Sequence, residues 1–201
     1  MIEISETEFA TVLQLCEGPD LSTYLKIKKC LPEKEAKNIT RQILTALKYL
    51  NDRNIIHYDL KPGNILFDRG FIKVADFGLC KQMDEGMKEI DLTSFGVGTY
   101  WYLPPETFNC DEDSGMKISP KVDIWSVGVI LYEMLYSQKP FGQGLTQNEI
   151  LRRKVMLAAK KVEFPAKPTV SNEIKDFIRR CLCYSKEERI DIAEAYDLFC
   201  R

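Results

Sequence analysis

Four polar side chains lie at spacings that suit phosphoryl transfer. Asp59, Lys61 and Asn64 fall on one short segment, and Asp76 follows Asp59 by seventeen residues. Phosphoryl transfer needs a carboxylate to orient the attacking hydroxyl, positive charge beside the phosphate and oxygen ligands for magnesium. An acid, a base and an amide on one loop can supply all three, and Asp76 adds a second hard oxygen ligand. The sequence therefore predicts a magnesium-dependent phosphate-transfer centre.

The composition indicates one globular domain with no general affinity for nucleic acid or membranes. The chain has 201 residues, of which 45% are hydrophobic and 29% charged, and its net charge is -2. No stretch approaches the roughly 20 apolar residues needed to cross a bilayer, and the N-terminus lacks the pattern of a signal peptide. We therefore expect an intracellular, soluble protein with no membrane partner and no direct nucleic-acid partner.

Cysteine and histidine usage argues against a structural zinc site. Seven cysteines occur without a C-x-x-C pair, and there is a single histidine, His57. The common structural zinc sites need four such ligands at paired spacings. We interpret the cysteines as free thiols of a protein in a reducing compartment.

The elements that would position the four polar residues are mostly helical. Residues 9–15 form an apolar run that is typical of a buried strand. Asp20 follows a cluster of helix-breaking residues and could cap a helix through Lys28. Pro32 suits the start of the next helix, whose apolar residues recur at spacings of three and four. That core-facing stripe consists of Ala36, Ile39, Ile43, Leu47 and Leu50.

After residue 54 the pattern changes to short extended pieces and then to further helices. Residues 65–67 and 71–74 flank an Asp-Arg-Gly turn, which predicts a small hairpin. Residues 79–106 have no sustained periodicity, which is typical of a functional loop. Residues 121–136 are apolar on nearly every side, as expected of a central buried helix. Three more helices are predicted near 146–158, 171–183 and 190–200.

Three motifs resemble those of protein kinases. Residues 57–64 read His-Tyr-Asp-Leu-Lys-Pro-Gly-Asn, residues 76–78 read Asp-Phe-Gly, and residues 104–106 read Pro-Pro-Glu. The resemblance implies an α+β, protein-kinase-like fold. In that fold a predominantly helical C-terminal lobe carries a small β-hairpin, and the N-terminal lobe would be almost entirely absent from this sequence.

The resemblance also divides the chain into functional segments. Residues 1–201 would form a partial protein kinase domain with a helical remainder after its activation segment. Three segments are expected before that remainder, and each has a defined role in phosphate transfer. They are a hinge strand at about 9–15, a catalytic loop at 57–64 and an activation segment at 76–106.

Roles for the polar residues follow from the same resemblance. Asp59 would be the catalytic base and Lys61 would contact the phosphate, while Asn64 and Asp76 would hold Mg2+ beside ATP. Thr99 resembles the threonine that serine/threonine kinases place beside the catalytic aspartate. The combination of Lys61 and Thr99 favours serine or threonine over tyrosine as the acceptor. The implied activity is transfer of the ATP γ-phosphate to serine or threonine hydroxyls of proteins.

A closer resemblance is to the Tousled-like kinases. Tyr58 in the catalytic loop, together with the Tyr-Trp-Tyr-Leu-Pro-Pro-Glu run at 100–106, is typical of that family. The similarity extends over residues 9–192. It implies a nuclear protein whose substrate is a histone chaperone of the anti-silencing type.

The kinase resemblance also implies a set of ATP-binding residues near the start of the chain. Leu13 resembles the gatekeeper residue, and the segment from Gln14 to Cys16 resembles the hinge, whose backbone meets adenine. Asp20 matches the acidic residue near the ribose. Leu66 matches the apolar floor under adenine.

Other residues are expected to be structural. The resemblance places His57 behind the Asp-Phe-Gly turn, outside the chemistry. Asp123 could cap its own helix or hold the backbone of the catalytic loop. Glu106 and Arg189 resemble a buried pair that ties the activation segment to the last helices. The basic residues at 152–161 are expected to form a solvated helix face, with a docking surface for an acidic partner as the alternative.

Two features depart from a complete kinase. The 201 residues contain neither a G-x-G-x-x-G loop nor a V-A-I-K-like strand, which in kinases cover ATP and position its phosphates. We therefore expect residues 1–201 alone to show negligible phosphotransfer, and a non-catalytic interaction or dominant-negative module is the alternative function. Tyr58 replaces the arginine that grips an activation-loop phosphate, so phosphorylation of Thr93 or Ser94 should matter little for activity.

Overall fold

Helices make up most of the regular structure. The computed structural model describes residues 2–5, 8–92, 96–109 and 116–200, so Thr93 and Ser94 lie outside the described residues. The helices are α1 (Leu21–Lys28), α2 (Glu33–Asn51), α3 (Lys121–Tyr136), α4 (Gln147–Arg152), α5 (Asn172–Cys181) and α6 (Ile192–Cys200). No helix among these residues is both long and apolar enough to cross a membrane.

The helix α3 lies at the centre of the core, as its sequence predicts. All of its residues except Lys121 and Glu133 are buried, and α2 and α5 both pack against it. Gly128 allows α5 to approach closely, because a Cβ atom at this position would lie 2.7 Å from the Cβ of Cys181. The predicted apolar stripe of α2 is confirmed, since all five of its residues are buried.

The described strands form short antiparallel pairs. The predicted hairpin is confirmed as β4 (Ile65–Asp68) paired with β5 (Phe71–Val74). The other pairs are β1 (Ile2–Ser5) with β2 (Glu8–Ala10), β3 (Ile55–Ile56) with β6 (Lys81–Gln82), and β7 (Ile90–Asp91) with β8 (Lys117–Ile118). The catalytic loop runs from β3 to β4, so both of its ends are held by strands. The helix-rich α+β fold is confirmed.

The predicted buried strand over residues 9–15 is wrong in both extent and burial. The strand β2 ends at Ala10, and residues 11–17 have no regular structure. Val12, Leu13 and Leu15 are 76%, 77% and 81% exposed. An apolar run is buried only where another element covers it, and in the described part of the chain none covers these side chains. Local hydrophobicity therefore overstated the order of this segment.

The helix predicted at 146–158 is shorter than expected. It begins as predicted, because the Thr146 side chain accepts from the Glu149 N–H and Glu149 reaches back to Thr146 in a capping box. It ends at Arg152, and Lys154 adopts a positive φ of 51°, which is incompatible with a continuous right-handed helix. A 3-10 turn at Met156–Ala158 follows.

Candidate active site

Asp59 lies in a triangle with Lys61 and Thr99. The Lys61 ammonium donates to Asp59 Oδ2 at 2.5 Å and to Thr99 Oγ1 at 3.2 Å. The Thr99 hydroxyl donates to Asp59 Oδ1 at 3.0 Å. Since Asp59 is only 7% exposed, the nearby ammonium compensates for much of the cost of keeping a carboxylate out of water. The contacts fix the orientation of the carboxylate from both sides.

Asn64 approaches the same carboxylate from the far end of the catalytic loop. Its Nδ2 donates to the Asp59 backbone carbonyl at 2.9 Å and to Asp59 Oδ2 at 3.3 Å. The amide nitrogen is thereby directed at Asp59, and the amide oxygen points elsewhere, where it can act as a ligand. The backbone carbonyl of Asn64 accepts a hydrogen bond from the Ala75 N–H at 2.8 Å. This bond brings the next residue, Asp76, beside the loop.

Asp76 is held in an unusual backbone conformation at the end of β5. Its φ is 63°, a left-handed geometry that is uncommon for residues other than glycine and is often found at functional sites. Its Oδ1 accepts from the Gly78 N–H at 3.3 Å, and the residue is exposed. Asp76 is therefore accessible to solvent, and it follows Ala75, which bonds to Asn64.

His57 supports the Asp-Phe-Gly turn from behind. The histidine is fully buried, and its Nε2 lies 3.1 Å from the Ala75 carbonyl. Its ring centroid lies 5.3 Å from that of Phe77. These contacts match the structural role expected for His57, and its ring is shielded from any substrate.

Asp123 holds the backbone of the catalytic loop. Its two carboxylate oxygens accept from the backbone N–H groups of His57 at 2.8 Å and Tyr58 at 2.9 Å. Complete burial raises the pKa of Asp123, and the neighbouring His57 and the two N–H donors offset part of that rise. Tyr58 has a φ of 70°, so these bonds also stabilise a strained residue. Of the two roles considered for Asp123, the structure shows the one toward the loop.

The predicted pair of Glu106 and Arg189 is confirmed. The Arg189 guanidinium donates to Glu106 Oε1 at 2.7 Å and to Oε2 at 2.9 Å, a bidentate arrangement. Arg189 is buried, and its guanidinium lies 5.0 Å from the centre of the Trp125 ring. Burial, with smaller contributions from Glu106 and Tyr100, raises the pKa of Tyr58 to about 12. Tyr58 therefore packs next to this pair as a neutral phenol.

The residues expected to contact adenine and ribose are less organised. Asp20 forms an isolated β-bridge with Leu66, so those two are brought together. Both carboxylate oxygens of Asp20 already accept from Thr23 at the start of α1. The Gln14 amide donates to Asp68 at 3.1 Å.

Two further members of the expected adenine and ribose set differ in their exposure. The Leu13 side chain faces solvent and Cys16 is half-buried. The structure thus assembles one edge of the expected nucleotide site and leaves the gatekeeper position open.

A set of residues beside Thr99 was not identified from the sequence. The Tyr102 hydroxyl donates to Glu133 Oε2 at 2.6 Å, and the Lys139 ammonium donates to Glu133 Oε1 at 3.3 Å. Tyr102 and Glu133 are separated by 31 residues, and no local pattern links them. Only the short run of aromatic residues after Thr99 could have drawn attention to this region.

The donor atoms near Asp59 suit magnesium. Asn64 and Asp76 offer an amide oxygen and a carboxylate, which are the hard ligands that Mg2+ prefers. Among the residues with described positions, no group of three or more His, Cys, Asp or Glu could hold a metal ion. A site with two protein oxygen ligands fits Mg2+, which commonly completes its shell with phosphate oxygens and water.

Known protein kinases match this chain over nearly its whole length. The model of the protein kinase domain family matches residues 2–198. The serine/threonine-protein kinase tousled-like 1 of Homo sapiens is 55% identical over 193 residues, which cover 92% of this chain and 25% of the relative. The serine/threonine-protein kinase TOUSLED of Arabidopsis thaliana is 53% identical over 190 residues, with coverages of 92% and 27%.

The matches cover a large share of this chain and a small share of each relative. The chain spans about a quarter of the length of the relatives, whereas they match nearly all of the chain. The matched region includes the catalytic loop, the Asp-Phe-Gly turn and the pair of Glu106 and Arg189. The chain belongs to the protein kinase domain family, and within that family it is similar to the tousled-like serine/threonine kinases.

Proposed function

We propose that this chain provides the catalytic lobe of a serine/threonine protein kinase that transfers the γ-phosphate of ATP to protein hydroxyls. The observation that carries the proposal is the triangle of Asp59, Lys61 and Thr99. It combines a carboxylate, a cation and a hydroxyl within hydrogen-bonding distance of one another on two separate segments. The family membership of the chain supports the same activity.

The proposed chemistry assigns the proton to Asp59. Its carboxylate orients the substrate hydroxyl and accepts the proton as the hydroxyl oxygen bonds to phosphorus and the bond to the ADP oxygen breaks. Lys61 places positive charge where negative charge develops on the transferred phosphate. Thr99 keeps the carboxylate in position through its 3.0 Å bond. ATP would supply the phosphoryl group, and Mg2+ held by Asn64 and Asp76 would neutralise charge on the phosphate oxygens.

We assign cofactor binding to two groups of residues. Asn64 and Asp76 would hold Mg2+, because their oxygens are directed away from the contacts that fix the loop. Leu13, Gln14, Cys16, Asp20 and Leu66 would contact adenine and ribose, and the bridge between Asp20 and Leu66 supports that placement. The second group depends on a segment that is largely exposed.

A chimera tests the proposed activity. This chain would replace the matching 193-residue region of the human tousled-like 1 kinase, and transfer of labelled phosphate to a generic protein substrate would be measured. We expect activity that Asp59→Asn reduces by at least about 100-fold, since it removes the proton acceptor. Asp191→Asn, the same change at the exposed start of α6, should retain activity because asparagine caps helices equally well. An inactive chimera, or activity that survives Asp59→Asn, refutes the proposal.

The isolated 201-residue chain, without the remaining sequence of the relative, tests the alternative function. The 201 residues include no Gly-rich loop and no V-A-I-K-like strand, so we expect no phosphate transfer above the Asp59→Asn background. As a non-catalytic module, the chain would instead compete for substrate. Added in excess to the active chimera, it should then lower substrate phosphorylation, whereas unchanged phosphorylation contradicts this alternative.

The cellular setting is part of the proposal. We propose a nuclear protein that phosphorylates a histone chaperone of the anti-silencing type, on the basis of similarity to the tousled-like kinases. The chimera should phosphorylate a purified chaperone of this type faster than a generic protein of equal serine and threonine content. Equal rates for the two proteins would contradict the substrate assignment.

A further inference from the structure

A pocket lined with lysines lies beside the candidate active site. Its volume is about 280 Å³, and we call it the lysine pocket. It lies between α1, together with Lys29 just after it, and the end of α3 with the loop that follows. Its lining residues are Ser22, Leu25, Lys26, Lys29, Glu133, Ser137 and Lys139.

The elements on both sides of the lysine pocket contact residues next to the candidate catalytic centre. The helix α1 packs against the 3-10 turn Pro62–Asn64 of the catalytic loop. On the other wall, the Lys139 ammonium lies 5.6 Å from the ring centre of Trp101 and 5.8 Å from that of Tyr102. These two aromatic residues follow Thr99, whose hydroxyl bonds to Asp59. A substrate that reaches Asp59 therefore passes close to the pocket.

The single carboxylate of the pocket is already engaged. Glu133 Oε2 accepts from the Tyr102 hydroxyl at 2.6 Å, and Oε1 accepts from Lys139 at 3.3 Å. A cationic side chain from a substrate would have to displace Lys139 to reach it. Glu133 therefore does not make the pocket attractive to basic residues.

The remaining charge of the pocket is positive. Lys26 and Lys29 are exposed, and among the residues that the structure describes neither has a carboxylate within 4.0 Å of its ammonium. Together with Lys139 they outnumber the one acidic residue of the lining. Cations at the C-terminal end of α1 are also favoured by the helix dipole, which explains how they are tolerated without partners.

We propose that the lysine pocket binds an acidic side chain of the protein substrate close to the serine or threonine that is phosphorylated. The proposal rests on the proposed kinase function and names a substrate preference for that site. Lys26 and Lys29 contact the incoming carboxylate, and the hydroxyls of Ser22 and Ser137 can donate to it. Because each contact is near the surface, the preference is moderate and weakens with added salt.

Peptide binding to the 201-residue chain tests the preference without requiring phosphate transfer. The probes are two fluorescein-labelled peptides with a central serine, one with three flanking aspartates and one with asparagines at the same places. Fluorescence anisotropy at low salt gives the dissociation constant of each. We expect the aspartate peptide to bind about 3- to 10-fold more tightly.

Two double variants with equal loss of charge locate the effect. Lys26→Ala/Lys29→Ala should reduce the ratio of the two dissociation constants to about one. Lys34→Ala/Lys167→Ala removes two exposed lysines that do not line the pocket and should leave the ratio unchanged. Circular dichroism of each variant checks that the fold is intact.

A third variant tests the engagement of Glu133. Lys139→Ala leaves Glu133 without its ammonium partner, so binding of a matching peptide with three lysines should tighten about 2- to 5-fold. Tyr102 would still hold the carboxylate in place.

Equal binding of the two peptides, binding too weak to measure, or equal losses in the two double variants would each overturn the proposal. Failure of the chimera to transfer phosphate would instead overturn the proposed function and leave the measured preference intact.

Discussion

The catalytic loop and the segment before α1 both belong to the site expected from the sequence, yet they differ in how the chain holds them. The catalytic loop is tied to α3 through Asp123 and is buried at Asp59 and Asn64. The segment at 11–17 is largely exposed. Its Gln14 bonds to Asp68 of the hairpin, and just beyond the segment Gly18 and Pro19 bond to the backbone of Phe67. The half of the site that we propose for phosphate transfer is thus held by the helical lobe itself.

This difference has a physical origin in where the stabilising contacts lie. The side chains that hold Asp59 come from the catalytic loop itself and, through Thr99, from the activation segment. Asp123 of α3 holds the backbone just before Asp59. The apolar residues Val12, Leu13 and Leu15 have no such neighbours. Substitutions around the first region should therefore change the stability of the lobe, whereas substitutions in the second should not.

The largest loss of stability is expected for Arg189→Ala. It leaves the Glu106 carboxylate partly buried without its bidentate partner, and breaking such a pair typically costs about 3–5 kcal/mol. Urea unfolding of residues 1–201, followed by circular dichroism, gives the free energy of unfolding. Arg180→Ala is the control, because it removes an arginine from an exposed pair with Glu194 and should cost less than about 1 kcal/mol. Equal losses in the two variants would contradict the structural role of the buried pair.

A smaller loss is expected for Asp123→Ala. The variant leaves the N–H groups of His57 and Tyr58 without their acceptor, which should cost about 2–3 kcal/mol. Amide hydrogen exchange measured by NMR should speed up at these two positions more than in the middle of α2. Protection that is unchanged at both amides would show that Asp123 does not hold the loop.

Tyr58 gives a pH-dependent test of the same region. A folded-state pKa of about 12 exceeds the ordinary value near 10. The neutral phenol is therefore favoured by folding, and this contribution is complete below pH 10 and lost as the pH rises toward 12. Over this range the free energy of unfolding of the parent chain should fall by about 2 kcal/mol more than that of Tyr58→Phe.

The measurement for Tyr58→Phe is the free energy of unfolding at several pH values between 7 and 12. At pH 7 the variant should lie within about 0.5 kcal/mol of the parent, because a phenyl ring fills nearly the same space. Parallel pH curves for the two proteins would show that the phenol is not buried as the structure has it.

The sequence predicted those features whose signal is local. The bounds of α3 and the hairpin of β4 and β5 agree with the structure because their patterns lie within the elements themselves. The end of α4 was missed, since the left-handed backbone of Lys154 has no signature in the sequence. The burial of residues 9–15 was overestimated, because burial depends on what covers an element.

The candidate site shows the same division. The spacing of Asp59, Lys61 and Asn64 pointed to phosphate transfer from the residues alone, and family resemblance added Thr99. The contact of Tyr102 with Glu133 could not be predicted, because it joins two segments that meet only in the folded chain. Sequence patterns therefore identified the candidate residues but not the side chains that surround them in the folded chain.

The smallest effect is expected in the exposed segment. Leu13→Ala should change the free energy of unfolding of residues 1–201 by less than about 0.5 kcal/mol, because its side chain is 77% exposed and loses few contacts. Leu47→Ala removes the same atoms from a fully buried position in α2 and should cost about 2–5 kcal/mol. If Leu13→Ala were as destabilising as Leu47→Ala, the segment would be packed on the lobe, and the contrast between the two regions would not hold.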